Sequence, residues 1–147
     1  MQNLLIKIIE HNSTAYWSTV ALREKVLRAP LGLTFDPKDL SAESKDVHFA
    51  VEIDDLIVGC LILKPMTPQQ FKMRQVAVDP EHQQKKVGTR LVQFAEEFAV
   101  KKNCFEIVLS ARESAFQFYL KMGYQFVSDC FIEVGLPHRM MKKIFRR

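Results

Sequence analysis

The chain is poor in the residues that build metal centres and disulfide frameworks. It has three cysteines, Cys60, Cys104 and Cys130. They are odd in number and widely spaced, and no Cys-x-x-Cys pair occurs. His11, His48, His82 and His138 do not fall near them at ligand spacing, so neither a metal site nor a set of disulfides is expected. The longest apolar run, Leu56–Leu63, is too short to span a bilayer. At the N-terminus, Lys7 and Glu10 interrupt Leu4, Leu5, Ile6, Ile8 and Ile9, so this stretch reads as a first strand and not as a leader. No internal repeat, low-complexity tract or linker divides the 147 residues. These absences lead to the expectation of one cytoplasmic domain, residues 1–147, with reduced thiols and no membrane partner.

What is present is a globular composition, 48% hydrophobic and 26% charged, with a formal net charge of +4. Lysines and arginines gather at Lys85, Lys86 and Arg90, at Lys101 and Lys102, and at Lys142, Lys143, Arg146 and Arg147. Such a balance suits an anionic partner: a phosphorylated cofactor, an acidic substrate or nucleic acid. A solvated surface explains the last two clusters equally well. No helix-turn-helix, RRM or zinc signature accompanies the charge, and the aromatics fall at core spacing, so nucleic acid is not the expected partner.

Hydrophobic periodicity predicts the elements. Leu4–Ile9 reads as a strand. Ala15–Arg28 reads as a helix capped by Ser13 or Thr14 and ended by Pro30 and Gly32. Phe35–Asp46 reads as a loop with one short helix. Val47–Ile53 and Leu56–Lys64 read as strands joined by a hairpin turn at Asp54-Asp55. Pro65 and Pro68 break the chain before a strand at Phe71–Val78. Val87, Leu91, Phe94, Ala95, Phe98 and Ala99 form an apolar helical stripe. Glu106–Leu109 is a strand. Ser110 and Glu113 fit a capping box for a helix through Met122, with Gly123 at its C′ position. Gln125–Val134 and Arg139–Phe145 are further strands, separated by Gly135 and Pro137. Hairpins followed by βαβ units imply an α/β (α+β) fold: a mixed sheet with helices on both faces.

Two segments carry chemistry. In Val-Ala-Val-Asp-Pro-Glu-His-Gln-Gln-Lys-Lys-Val-Gly, a strand enters a polar, basic turn that opens a helix, which offers backbone N–H groups to a phosphate. The second is Ala-Phe-Gln-Phe-Tyr-Leu-Lys-Met-Gly-Tyr, ending at Tyr124. Together they resemble the GNAT superfamily of acetyl-CoA-dependent N-acetyltransferases, most strongly from Gln75 to Tyr124. The first matches its pyrophosphate loop, Gln/Arg-x-x-Gly-x-Gly/Ala, with Gln83 in the first position and Gly88 in the last. The second matches its Ala-x-x-Phe-Tyr-x-Lys-x-Gly-Phe segment. Lys86 departs from the pattern where that family usually has glycine. The tail Phe131–Lys143 is similar to small bacterial-type members of the superfamily.

The resemblance implies a mostly antiparallel sheet with one splayed parallel pair, formed by Phe71–Val78 and Glu106–Leu109. It implies acetyl-CoA as cosubstrate, a small-molecule or peptide amine as acceptor, and direct attack without a covalent enzyme intermediate. Homodimers are frequent in that family. Val76, Ala77 and Val78 would pair through backbone with the pantetheine arm and polarise the thioester carbonyl. Gln83, Gln84, Lys85, Lys86, Val87, Gly88 and Thr89 would cradle the pyrophosphate. Ser110, Arg112 and Ala115 would line the pantetheine and adenosine side. Tyr119 would protonate the leaving thiolate. Glu133, His138 and His48 are candidate bases, with Glu52 behind them. Trp17, Arg23, Leu27, Arg28, Leu31 and Phe35 would face the acceptor, Arg23 and Arg28 holding an acidic one. The alternatives remain open: Val76 and Val78 as plain core, Tyr119 as a packed aromatic, His138 as a structural histidine. The whole chain could also be a non-catalytic CoA-binding or regulatory module, an option that Lys86 favours.

Overall fold

Aliphatic and β-branched runs fill most of the chain. In the computed structural model of the protein, which describes residues 3–145, they form one eight-stranded sheet. Its strands are β1 (Leu4–Ile9), β2 (Val47–Ile53), β3 (Leu56–Thr67), β4 (Gln70–Val78), β5 (Glu106–Arg112), β6 (Gln125–Phe126), β7 (Phe131–Glu133) and β8 (Leu136–Ile144). The spatial order is β1-β2-β3-β4-β5-β8-β6, and β7 pairs with β8. Every pairing is antiparallel except β4 with β5, which run parallel. A parallel pair needs a crossover, and helix α3 (Val87–Lys101) supplies it. The fold is thus the mixed, mostly antiparallel sheet expected from the sequence. The helices α1 (Thr14–Arg23), α2 (Pro37–Ser41) and α4 (Phe116–Lys121) complete it.

Side-chain alternation along the strands divides the core between two faces. On one, Phe49, Val51, Leu61, Leu63, Met73, Ile107 and Leu109 pack against Val87, Leu91, Val92, Ala95 and Ala99 of α3. Phe94 and Phe98 close the edge of this layer, both edge-on to Phe49. Gly59 lets α3 approach: a Cβ built there would stand 3.1 Å from Val87 Cγ1. On the other face, Tyr16, Val20 and Leu22 of α1 cover Ile9, Ala50, Cys60 and Ala77. Among the described residues no helix is long and apolar enough to cross a membrane. Arg146 and Arg147 of the C-terminal basic cluster lie outside the described residues.

Several boundaries differ from the sequence reading. β3 continues through Pro65, where a register shift accommodates the missing N–H. The Ala15–Arg28 helix begins at Thr14, capped by Ser13, and after Arg23 widens into a π turn over Glu24–Arg28 and a 3-10 turn over Ala29–Leu31. The expected capping box at Ser110 does not form. β8 pairs with β5 as far as Arg112↔His138, so Ser110 stays in the strand. The chain turns only after Arg112, into a 3-10 turn Glu113–Ala115. Gly123 does follow α4 in a left-handed conformation (φ 97°), as its C′ position requires. The expected strand Gln125–Val134 splits in two, because the Ser128 hydroxyl accepts from the Met140 N–H at 2.9 Å in place of a strand partner. β8 starts at Leu136, three residues earlier than expected, after a tight turn with Val134 and Gly135 both at positive φ.

One buried polar cluster fixes α1 to the rest of the molecule. Arg23, only 1% exposed, donates to both Glu43 carboxylate oxygens, at 2.8 and 2.6 Å. The Tyr16 hydroxyl donates to the same carboxylate at 2.8 Å, and His48 Nε2 contacts the Glu43 carbonyl at 2.8 Å. Burial opposes the charge on Glu43, but the hydrogen bonds and charge of Arg23 outweigh it and hold the carboxyl below its usual range. Burial likewise pushes His48 below the usual imidazole range. Both folded-state values are depressed, so both groups contribute stability above their ordinary ranges and lose it as pH falls. Removing one partner of a buried pair strands the other. Glu43→Gln should therefore cost about 3–5 kcal/mol in urea unfolding at neutral pH, and the variant's stability should fall less steeply on acidification than that of the parent.

Candidate active site

The site originates where two strands stop pairing. β4 and β5 are joined from Gln70↔Glu106 to Met73↔Leu109 and no further. Two residues later Gln75 takes a left-handed conformation (φ 55°). On the β3 side, Cys60 pairs with Ala77 and Ile62 with Arg74, so β4 carries one extra residue at this point. A bulge of this kind bends its strand and leaves one edge unpaired. The result is a cleft of about 590 Å³ between the diverging strands. Its walls are Met73–Val78 of β4 and Leu109–Arg112 of β5; Gln83, Lys86, Gly88 and Thr89 also line it, as do Phe118 and Tyr119 of α4. Val26, Leu27 and Arg28 of the π turn meet Glu133, Val134 and His138 of the β7–β8 hairpin on the same cleft.

The phosphate-type loop follows β4 directly. Asp79 caps a 3-10 turn over Pro80–Lys85, accepting from the Glu81 N–H. The Gln83 side chain donates to the Val78 carbonyl at 3.2 Å and ties the loop to the strand end. Lys86 stands at φ 57°, ψ 28°, the left-handed conformation that glycine adopts freely. The residue that departs from the family's glycine therefore keeps the glycine-like backbone and accepts its strain. Lys86 gives α3 no side-chain cap, and the first N–H groups of a helix have no intrahelical partner. A Cβ on Gly88 would meet the Phe118 ring at an ordinary 3.5 Å, in keeping with a pattern that allows alanine there. The side chains of Gln84 and Lys85 lie outside the described residues.

The catalytic candidates share this cleft. Tyr119 is 7% exposed, set edge-on to Phe118 and Tyr124. Burial pushes its hydroxyl well above the usual phenol range, so it keeps its proton at neutral pH. Among the described residues no hydrogen bond engages that hydroxyl, which leaves it free for a ligand. His138 Nδ1 lies 2.8 Å from the Leu136 carbonyl, which can only accept, so that nitrogen carries the proton. Its Nε2 sits 3.5 Å from Glu133 Oε2. Ser110 Oγ is 3.4 Å from both Glu133 oxygens. The residue that sequence reasoning took for a helix cap is therefore part of a Ser110–Glu133–His138 group. Arg112 donates to the Leu27 carbonyl at 2.8 Å and pins the π turn to the end of β5. Ala115 lines the wall beside it.

Other candidates lie elsewhere. His48 is buried against the Glu43 backbone under α1, and Glu52 is paired with Lys7 at 2.7 Å; neither reaches the cleft. Arg23 cannot hold an acceptor, because both faces of its guanidinium fork are taken by Glu43. Of the acceptor candidates, Leu27 and Arg28 line the cleft, whereas Trp17, Leu31 and Phe35 do not. Phe35 instead lies under the Arg23 and Arg28 guanidinium groups, 4.6 and 4.7 Å from its ring centre. Sequence reasoning missed Lys72, Arg74 and Gln75. The alternation Lys-Met-Arg, with Met73 in the core, is the signal that Lys72 and Arg74 share the opposite face. Nothing local marks Gln75.

A model described as an acetyltransferase (GNAT) domain matches residues 44–126, more than half of the chain. The chain belongs to the GNAT acetyltransferase family. A UPF0039 protein of Schizosaccharomyces pombe is 32% identical over 118 residues, which cover 68% of this chain and 77% of that protein. Among solved structures, this GNAT protein resembles Escherichia coli ElaA, with a TM-score of 0.78, 20% identity, and 97% and 99% of the two chains covered. It also resembles an aminoglycoside 6'-N-acetyltransferase complexed with coenzyme A, with a TM-score of 0.80, 16% identity, and 95% and 96% covered. At such identities the likeness concerns the fold. The family is one of acyl transfer, and the mixed sheet with its single parallel pair is its fold.

A left-handed lysine costs about 1 kcal/mol relative to glycine. Lys86→Gly should raise the melting temperature by about 3 °C, measured by calorimetry; an unchanged or lower value would mean that the lysine side chain offsets its own backbone strain.

Proposed function

We propose that this GNAT protein transfers acetyl from acetyl-CoA to a primary amine by direct attack. The observation that carries the reading is the unpaired edge of β4 beyond Met73, running straight into the uncapped N-terminus of α3. An extended pantetheine arm can add to that edge as a strand would, through backbone alone. The pyrophosphate would then meet the α3 N–H groups at the positive end of the helix, beside Lys86 and Thr89. Val76, Ala77 and Val78 serve through their backbone, which leaves their side chains free to pack in the core.

In this mechanism the amine nitrogen attacks the thioester carbon and forms the C–N bond. Backbone N–H near Val78 stabilises the oxyanion. Collapse breaks the C–S bond, Tyr119 donates its proton to the departing sulfur, and the proton that the new amide nitrogen sheds returns to Tyr119 through water, so free CoA thiol leaves. The attacking ammonium must lose a proton first. His138 Nε2, with Nδ1 already protonated, can take it directly or through water, and Glu133 would hold the imidazolium formed. Arg112 and Ala115 shape the wall along which the arm lies. The Tyr119 side chain lines the cleft with its hydroxyl in no hydrogen bond among the described residues, which favours this reading over a module that binds CoA without turnover.

Release of free thiol from acetyl-CoA in the presence of an amine panel tests the activity. Tyr119→Phe should lower kcat by about 100-fold while leaving acetyl-CoA affinity near that of the parent; full activity in that variant would remove Tyr119 from the mechanism. Because the loop already holds its left-handed bend, Lys86 contributes charge and not shape. Lys86→Gly should therefore weaken acetyl-CoA binding by about two- to fivefold in calorimetry, even as it stabilises the fold. Tighter binding would mean that the strained backbone had distorted the cradle.

A further inference from the structure

Part of the cleft is more basic than acetyl transfer requires. A smaller cavity of about 230 Å³ opens off the main cleft and shares all of its lining with it except Lys72. Arg28, Lys72 and Arg74 line it, with Glu133 as the one carboxylate. Among the described residues, Arg28, Lys72 and Arg74 form no ion pair and donate no side-chain hydrogen bond. The Arg28 guanidinium rests over Phe35, and its Nε is buried without a partner. Asp46 senses the charge of Arg74, but without an ion pair.

Three unpaired cations in one concavity repel each other, and an anion placed among them removes that cost. We infer that the acceptor carries an anionic group, a carboxylate or a phosphate, beside the amine that is acetylated. The anion is held by Arg28, Lys72 and Arg74. The amine lies toward Ser110 and Glu133, the hydroxyl and carboxylate of the shared lining, which can accept from it. A volume of about 230 Å³ is roughly that of seven or eight waters, which suits a small zwitterionic molecule. The inference rests on the amine acetylation proposed above.

Matched acceptors test it: phosphoethanolamine against ethanolamine, and β-alanine against propylamine, each assayed by thiol release from acetyl-CoA. In at least one pair the anionic member should show a kcat/KM about 10- to 100-fold higher. Arg74→Gln and Lys72→Gln should each shrink that ratio through KM. The preferred pair tells phosphate from carboxylate. Neutral amines that match or exceed their anionic partners would overturn the inference and leave acetyl transfer standing. Absence of thiol release with every amine, together with absence of acetyl-CoA binding, would instead sink the proposed reaction. Calorimetry with the same four compounds then judges the cavity by itself: binding of an anionic member alone supports it, and equal or undetectable binding of both members overturns it.

Discussion

Everything at the candidate site depends on where hydrogen bonding between β4 and β5 ends. The two strands pair for four residues, to Met73↔Leu109, and a left-handed Gln75 then turns β4 away. A parallel sheet that pairs to its end leaves no room for a ligand. One that stops early leaves an unsatisfied strand edge in a partly buried place, and unsatisfied backbone groups are costly unless something binds them. The cleft is thus a vacancy in the sheet's own hydrogen-bonding pattern. The loop into α3 extends the pattern, because Lys86 leaves the helix start without a side-chain cap.

The opposite side of the cleft depends on a second constraint, the buried Arg23–Glu43 pair. It holds the end of α1 against the segment before β2. The chain widens into a π turn immediately afterwards, and wide turns of this kind are frequent at functional sites. Arg112 fastens that turn to β5 through the Leu27 carbonyl. Arg28 is carried to the cleft, while Arg23, five residues earlier and chemically identical, is consumed by packing. Strain at Gln75, Lys86 and Val134, all at positive φ and all lining the cleft, is concentrated at this one place.

Much of this was legible beforehand. The strand and helix periods, the Asp54-Asp55 turn, the α3 stripe and the Gly123 cap are encoded within a few residues of one another, and local pattern is enough to read them. The polar, basic loop before α3 and the segment ending at Tyr124 pointed to the GNAT family, which the comparisons then showed. Boundaries failed where partners are distant. Ser110 reads locally as a helix cap, yet β8, about thirty residues on, extends β5 past it. Ser128 ends β6 by a contact with Met140 that no local pattern announces.

By itself the sequence determined the order of elements, the sheet class and the loop that marks the family, because each is written in contiguous residues. Only the tertiary structure decided which charges are free. Arg23 and Arg28 look alike in the chain, but Glu43, 20 residues away, neutralises one and leaves the other unpaired. The same holds for Arg112, bonded to a carbonyl 85 residues distant, and for the meeting of Ser110, Glu133 and His138. A side chain's chemistry depends on what lies within a few ångströms of it, and at this cleft those neighbours come from four separate stretches of the chain.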